Sequence, residues 1–461
     1  MKTLQVDVAV IGAGTAGMTA WRAAAREGAR VVLIEDGPYG TTCARVGCMP
    51  SKLLIAAADA AQGARDAASF GVHVGGLRID GREVMERVRR ERDRFVGFTL
   101  RSIESMPEED KLRGRARFVS DTVLDVGGHT RVEARAIVIA TGTRPNVPAQ
   151  YEPLGERAIV NDDVFEWHDL PESVLVVGAG VIGLELGQAL SRLGVRTRIV
   201  QRSAHIGGLR DPLVYQSALA AFRNELDLCL DAAILGVRRV GSEAEVRYQV
   251  PGCAEVVERF EYVLLAAGRV PNLEGMGLEN TSIKLDERGR PLFDPATLRI
   301  GETPIFIAGD VNGILPLLHE AADDGRIAGR NAARYPDVQA AERRAALSIV
   351  FTDPQLAAVG LRFNELPPDA AVAEVDFADQ GRSRIMLKNR GKLRVYAERD
   401  SGVFIGAEMA GPAMEHIAHL LAWAVQQRLT VQQMLAMPFY HPVIEEGVRT
   451  ALQRLAGEMA E

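Results

Sequence analysis

The sequence predicts an α/β fold with two nucleotide-binding βαβ modules followed by an α+β module, and three observations predict it. A glycine-rich strand–loop–helix pattern occurs twice. Each copy runs on into a further short apolar strand. After about residue 340 this alternation gives way to isolated strands and one long amphipathic helix. At 461 residues the chain exceeds what one hydrophobic core organises, and roughly 100 to 200 residues per domain gives about three modules.

The first copy is the apolar run Val8-Ala9-Val10-Ile11, the loop Gly12-Ala13-Gly14-Thr15-Ala16-Gly17, an alanine-rich helical stretch and the strand Arg30 to Glu35. The second is Ser173 to Val177, Gly178-Ala179-Gly180-Val181-Ile182-Gly183, the helical Leu184 to Leu193 and the strand Arg196 to Val200. In such loops one glycine permits the tight turn, one lets backbone approach a pyrophosphate, and one lets helix and strand pack closely. The helix N-terminus adds unpaired N–H groups and the positive end of its dipole. A lone loop of this kind can be a plain turn; two copies with matching flanks read as two Rossmann-like dinucleotide sites. A second doubling, Arg135 to Gly142 and Tyr262 to Pro271, places an apolar strand before the turn residues Thr141-Gly142 and Gly268.

Charged residues at 25% and apolar ones at 47% fit a globular protein with a large core, and the net charge of −7 gives no reason to expect nucleic acid or an anionic membrane as partner. The apolar stretch Ile417 to Val425 falls short of the roughly 20 residues that cross a bilayer, and Met1-Lys2 leads straight into a strand. The expectation is a cytoplasmic protein without a membrane anchor. Four cysteines in such a chain are no structural disulfide framework, so the close pair Cys43 and Cys48 reads as redox-catalytic or metal-binding. The gap is wider than usual for metal ligands and no further Cys or His is placed nearby, which favours a dithiol and no metal. Residues five apart in a regular helix have Cα atoms roughly 8 to 9 Å apart, beyond the roughly 4.4 to 6.8 Å of a disulfide. If the two are to bond, the segment between them must deviate from an ideal helix, and Gly47 is the residue suited to that. The charge-rich Arg82 to Ile103 reads as a helix with a solvated face.

With the segment Gly40-Thr41-Thr42-Cys43-Ala44-Arg45-Val46-Gly47-Cys48-Met49-Pro50-Ser51-Lys52 included, the chain resembles the pyridine nucleotide-disulfide oxidoreductases, the family of dihydrolipoyl dehydrogenase, glutathione reductase and mercuric reductase. Ile305 to Asp310, Pro316 to His319, Gly114-Arg115-Ala116, Val350 to Gln355 and Tyr440 to Glu446 extend the resemblance over essentially the whole chain. It implies an FAD-binding domain of residues 1–146 completed by 271–340, an NAD(P)-binding domain of 147–270, and a dimerisation domain of 341–461.

The resemblance also implies roles. Cys48 is the thiol beside the flavin and Cys43 the one that exchanges with substrate. His441, backed by Glu446, is the acid–base, and it comes from the other subunit of a homodimer. Lys52 and Glu185 form an ion pair near the flavin N5, unless the pair is a plain structural salt bridge. FAD falls to Gly12, Gly14, Gly17, Glu35, Lys52, Ala116, Thr141, Gly142, Asp310, Leu317, Leu318 and His319. NAD(H) or NADP(H) falls to Gly178, Gly180, Gly183, Gln201, Arg202 and Gly268. Gln201 matches Glu35 in position but is uncharged and precedes Arg202, so nothing repels a 2′-phosphate, whereas Gly183 is the form commoner with NAD. Both nucleotides stay open.

The expected activity is a flavin-dependent disulfide oxidoreductase similar to dihydrolipoyl dehydrogenase, acting on a small-molecule or lipoyl-protein disulfide or dithiol. A reductase of another low-molecular-weight or protein disulfide, similar to glutathione reductase, is one alternative. A non-enzymatic redox-sensing or partner-binding flavoprotein is another. Phe439, Tyr440 and Val443 depart from the dihydrolipoyl dehydrogenase pattern, and Arg45 stands where an asparagine is common. Arg45 could meet flavin phosphates, solvent, a cysteine thiol or an anionic substrate. His416, His419, Cys229 and Cys253 receive no role.

Overall fold

The computed structural model describes residues 1–460, which divide into two compact units. The first comprises Met1–Pro50, Val88–Asn146 and Arg269–Arg343; the second comprises Ser51–Arg87, Val147–Gly268 and the described residues from Arg344 onward.

The first unit is built on a seven-stranded sheet in which Lys2–Ile11 lies parallel to both Val31–Glu35 and Thr130–Ile139. The long strand Thr130–Ile139 is shared on its other edge: its first half pairs antiparallel with Val123–Val126, its last residues parallel with Ile305–Ile307. Strand alternation explains why these segments are apolar throughout. Val8, Val10, Val31, Leu33, Val138 and Phe306 face one core, whereas Ala9, Ile11, Val32, Ile34, Ile139 and Ile307 face the other. On the first of these faces the helix Thr15–Arg26 packs against the helix Leu318–Arg334.

In the second unit a five-stranded parallel sheet runs in the order Asp227–Cys229, Arg196–Val200, Ser173–Val177, Tyr262–Leu265 and Ala158–Ile159. A three-stranded meander, Ala233–Val240, Glu243–Gln249 and Val256–Phe260, shares a core with it through Leu175, Val246, Phe260 and Val263. The C-terminal part of this unit has its own antiparallel sheet, ordered Leu347–Val350, Gln355–Gly360, Phe404–Gly411, Lys392–Ala397 and Ala371–Asp376. The helices Met414–Gln426 and Glu446–Ala460 cover it with Ile417, Leu421, Val448 and Leu452. The charge-rich helix spans Gly81–Glu104. Among the described residues no helix is long and apolar enough to cross a membrane.

One side of the helix Val181–Arg192 carries Glu185, Gln188 and Arg192 at helical spacing, and these polar residues are all buried. The Arg192 side chain, 3% exposed, is paired with Glu225, Asp353 and Asp59. Gln188 bonds Glu225, accepts from the Asp353 N–H and donates to the Asp353 carbonyl. Burial alone would raise Asp353, but Lys388 and Arg192 outweigh it and hold the carboxyl below the ordinary 3.8. Since its folded pKa is the depressed one, its contribution is complete at neutral pH and is lost only as the pH falls through that lower value. Removing this buried guanidinium would leave the half-buried Glu225 without its ion pair and Asp353 with Lys388 alone, so Arg192→Met is expected to cost about 3–5 kcal/mol. The denaturant midpoint measures this, with Arg192→Lys recovering only part because it lacks the planar fork.

Candidate active site

A cavity of about 500 Å3 opens in the first unit along the first glycine loop. Its wall includes Gly12, Gly14, Glu35, Ala116, Thr141 and Gly142, six of the residues expected to hold FAD. Gly12 has φ +104°, and a Cβ there would come within 2.4 Å of the Ala140 carbonyl oxygen. A Cβ on Gly17 would lie 1.7 Å from the Gly12 oxygen, so Gly17 serves helix–loop packing from behind the wall. At Gly14 a Cβ would meet nothing within 4 Å, which leaves its backbone open to the cavity. Glu35 ends its strand with one oxygen accepting from the Ala13 N–H at 2.7 Å and the other from the Gly37 N–H at 2.8 Å. Open loop amides for an anion and a carboxylate beyond the next strand are the donor set an adenine dinucleotide requires, so the residues present fit FAD.

Asn272 laces the far side. It bonds Thr141 through its side chain and backbone carbonyl, and its N–H donates to the Gly142 carbonyl. Beside it Thr143–Pro145 pairs antiparallel with Arg269–Pro271. Arg269 and the Thr143 hydroxyl face Asp310, whose carboxyl burial pushes above the ordinary value against the pull of both. Asp310, Leu317, Leu318 and His319 follow the strand Ile305–Ile307 but are not on the wall of this cavity. Asn272, Arg144 and Glu274 are on it although sequence reasoning did not single them out; the repeated glycine turns preceding them were the available signal.

The cysteine segment is broken as the disulfide span demands. Cys43 lies in the short helix Thr42–Val46, Gly47 leaves helical geometry at φ −124° and ψ −118°, and Cys48 begins the helix Cys48–Asp66. The short helix starts at Thr41, whose φ of +59° is strained for a β-branched residue and whose hydroxyl caps the Ala44 N–H. Cys43 is half-buried and Cys48 exposed.

Lys52, one turn into the second helix, places its ammonium 2.7 Å from Glu185, whose side chain is 4% exposed. The other Glu185 oxygen accepts from the Phe351 N–H at 2.9 Å, and the Phe351 ring lies 4.5 Å from the Lys52 nitrogen. The expected ion pair is thus present and has a third member, an aromatic face that sequence reasoning missed.

The second glycine loop repeats the first. Gly178 has φ +112°, and a Cβ on Gly183 would lie 1.9 Å from the Gly178 oxygen, while Gly180 is open. Gln201 accepts from the Ala179 N–H at 3.1 Å, as Glu35 does from Ala13, and donates to the Ser203 hydroxyl. Arg202 is exposed beside it, and Gly268 follows the neighbouring strand Tyr262–Leu265 at φ +94°.

Near the C-terminus His441 Nδ1 lies 3.1 Å from both oxygens of Glu446, whose carboxyl this contact holds below the usual glutamate range. The histidine side chain is 81% exposed. An adjoining apolar groove of about 550 Å3 is lined by Trp423, Met437, Phe439, Tyr440 and Val443. Among the described residues no group of three or more His, Cys, Asp or Glu side chains is placed to hold a metal ion.

Comparison with known proteins accords with this geometry. Residues 6–325 match the family model described as pyridine nucleotide-disulphide oxidoreductase, and residues 347–452 match that family's dimerisation domain. The dihydrolipoyl dehydrogenase of Chlamydia pneumoniae is 30% identical over 453 residues, covering 96% of this chain and 95% of that protein. Among solved structures, LpdA from Mycobacterium tuberculosis superposes with a TM-score of 0.83 at 26% identity, over 98% of this chain and all of the other. The HOCl-induced flavoprotein disulfide reductase RclA from Escherichia coli shares the fold, with a TM-score of 0.82 at 23% identity over 97% of this chain and 99% of the other. The chain therefore belongs to the pyridine nucleotide-disulphide oxidoreductase family, as a flavin-containing, NAD(P)-dependent oxidoreductase that acts on sulfur groups and carries a dimerisation domain.

Proposed function

We propose that the chain moves electrons between a pyridine nucleotide and a disulfide or dithiol through Cys43 and Cys48, with dihydrolipoyl groups as the preferred substrate class. The observation that carries this is the helix broken at Gly47 between two thiols, with the Lys52–Glu185 pair one turn further on. The similarity to dihydrolipoyl dehydrogenases along nearly the full chain supports the substrate class. The working division is an FAD domain of residues 1–146 and 271–340, an NAD(P) domain of 147–270 and a dimerisation domain of 341–461, in a cytoplasmic enzyme.

Bound flavin supplies the two-electron relay between nicotinamide hydride and the cysteine sulfurs. Cys48 heads a long helix, whose N-terminal dipole favours a thiolate. In the reductive direction the Cys43 thiolate attacks one sulfur of the substrate disulfide, and the departing sulfur takes a proton from the His441 imidazolium. The Cys48 thiolate then attacks the Cys43 sulfur, leaving a Cys43–Cys48 disulfide and expelling the second substrate sulfur as a thiolate, which takes its proton from solvent. With a dithiol substrate the same steps run backwards. Glu446 orients His441, whose Nδ1 lies 3.1 Å from both carboxylate oxygens. The strong exposure of that imidazole, beside an apolar groove in the dimerisation domain, supports a site completed across a homodimer.

A panel of lipoamide and glutathione disulfide with each nucleotide tests the substrate class; faster turnover of glutathione disulfide would replace it. Cys43→Ser should keep flavin reduction by nucleotide while disulfide turnover is lost, as stopped-flow absorbance and steady-state assays would show. His441→Gln should lose roughly two to four orders of magnitude in turnover. Mixed dimers of His441→Gln and Cys43→Ser chains, isolated by differential tags, should regain turnover, because one of their two sites has both groups intact. Gln201→Glu should shift the ratio of kcat/KM values toward NADH, since a carboxylate bonds a ribose 2′-hydroxyl and repels a 2′-phosphate; an unchanged ratio would place position 201 away from the ribose.

A further inference from the structure

Arg45, the cation between the two cysteines, is half-buried on the wall of the 500 Å3 cavity, together with Gly12, Gly14, Thr41 and Thr42. Its stem packs over Gly40, where a Cβ would come within 2.9 Å of Arg45 Cδ, so a side chain at position 40 would push the arginine off the wall. Of the other charged side chains on that wall, Asp36 is exposed to solvent, and Arg144, Glu274, Arg115 and Glu35 have partners inside the protein. Arg144 is paired with Glu274 at 2.6 Å and also meets Asn272. Arg115 donates to the Glu274 carbonyl at 2.8 Å. Glu35 takes two backbone N–H groups. The Arg45 N–H donates to the Thr41 carbonyl at 3.1 Å, but its guanidinium forms no hydrogen bond or ion pair with any described residue.

A guanidinium that is partly desolvated and unpaired is costly, and an anionic ligand removes that cost. The planar fork of arginine suits phosphate oxygens, two at a time. The anion expected here is the diphosphate of a dinucleotide, which takes the Gly12–Gly14 amides and the N-terminus of the Thr15–Arg26 helix. The rival role, activation of a thiol, is disfavoured within the short helix. Cys43 and Arg45 are two residues apart, and such side chains point to different sides.

We propose that Arg45 binds the diphosphate of the flavin dinucleotide and so ties the cysteine segment to the cofactor, leaving the acidity of the thiols to other groups. This rests on the FAD reading of the cavity. The test compares wild-type, Arg45→Gln and Arg45→Lys holoenzymes. FAD release is followed by flavin fluorescence during dialysis against rising salt, and thiol reactivity by the pH dependence of iodoacetamide alkylation. Arg45→Gln should hold FAD roughly 10- to 100-fold more weakly, the size expected for hydrogen bonds to a charged group. Arg45→Lys should lie between, since it keeps the charge and loses the fork. The alkylation profile should stay in place for all three. Should Arg45→Gln fail to fold, Arg45→Lys alone decides, because FAD retention equal to wild type would overturn the proposal. An alkaline shift of the alkylation profile with FAD retained would also overturn it, in favour of the thiol role. A wild-type protein that purifies without FAD and takes none up would instead overturn the reading of the cavity, a result distinct from any difference among the variants.

Discussion

A carboxylate that is 4% exposed has to be paid for, and the pairing of Glu185 with Lys52 and the Phe351 N–H is the constraint on which the second unit's chemistry depends. The three groups come from separate stretches of chain, so satisfying one buried charge fixes three backbones at once. The same helix continues the arrangement one and two turns on, where Gln188 and Arg192 hold the Asp353 backbone and carboxylate. Breaking any link leaves a buried polar group without its partner, which costs more than the bond itself contributes. The Phe351–Asp353 segment is thereby held at three points, and the Lys52 ammonium is further confined by the Phe351 ring.

The two glycine loops show how much of a binding site backbone geometry alone dictates. In both, the first glycine sits at strongly positive φ, the third lies under the oxygen of the first, and the middle one faces open space. In both, a side chain at the end of the next strand, Glu35 as its last residue or Gln201 just after it, accepts from the N–H of the loop alanine. The acceptor atom is kept while the charge differs. The loops therefore share their backbone architecture and differ in the charge of the side chain that meets it.

Local features were legible in the sequence. The strands Ser173–Val177, Arg196–Val200 and Lys392–Ala397 fall where alternation and glycine turns put them, and the break at Gly47 follows from the span of a disulfide set against the rise of a helix. Pairings between distant segments were not. Nothing periodic in the sequence says that Ile305–Ile307 completes the first sheet against Thr130–Ile139, or that Thr143–Pro145 pairs with Arg269–Pro271. The same holds for Phe351 beside Lys52 and for the three carboxylates around Arg192. Each is an ordinary residue made consequential by a neighbour far away in the chain. Arg45 lies between these cases: its position between the cysteines drew attention, but only the cavity wall and its lack of a counter-charge choose among its roles.

The C-terminal pair poses a different physical problem from the buried one. Glu446 is held ionised below its usual range chiefly by its contact with His441, yet that histidine is 81% exposed. In water such a contact is weak, because solvent screens the charges and competes for the hydrogen bonds. An acid–base group gains from being enclosed, where its interactions strengthen and its proton goes only to the reacting atom. The exposed apolar groove beside it, with Trp423, Met437 and Tyr440 turned outward, is the kind of surface that a second chain covers. Covering that groove would lower the dielectric around His441 and Glu446 and strengthen the interaction between them. If His441 is the acid–base proposed above, dimerisation would set the strength of that group, and a lone chain would hold the pair in an environment too wet for it.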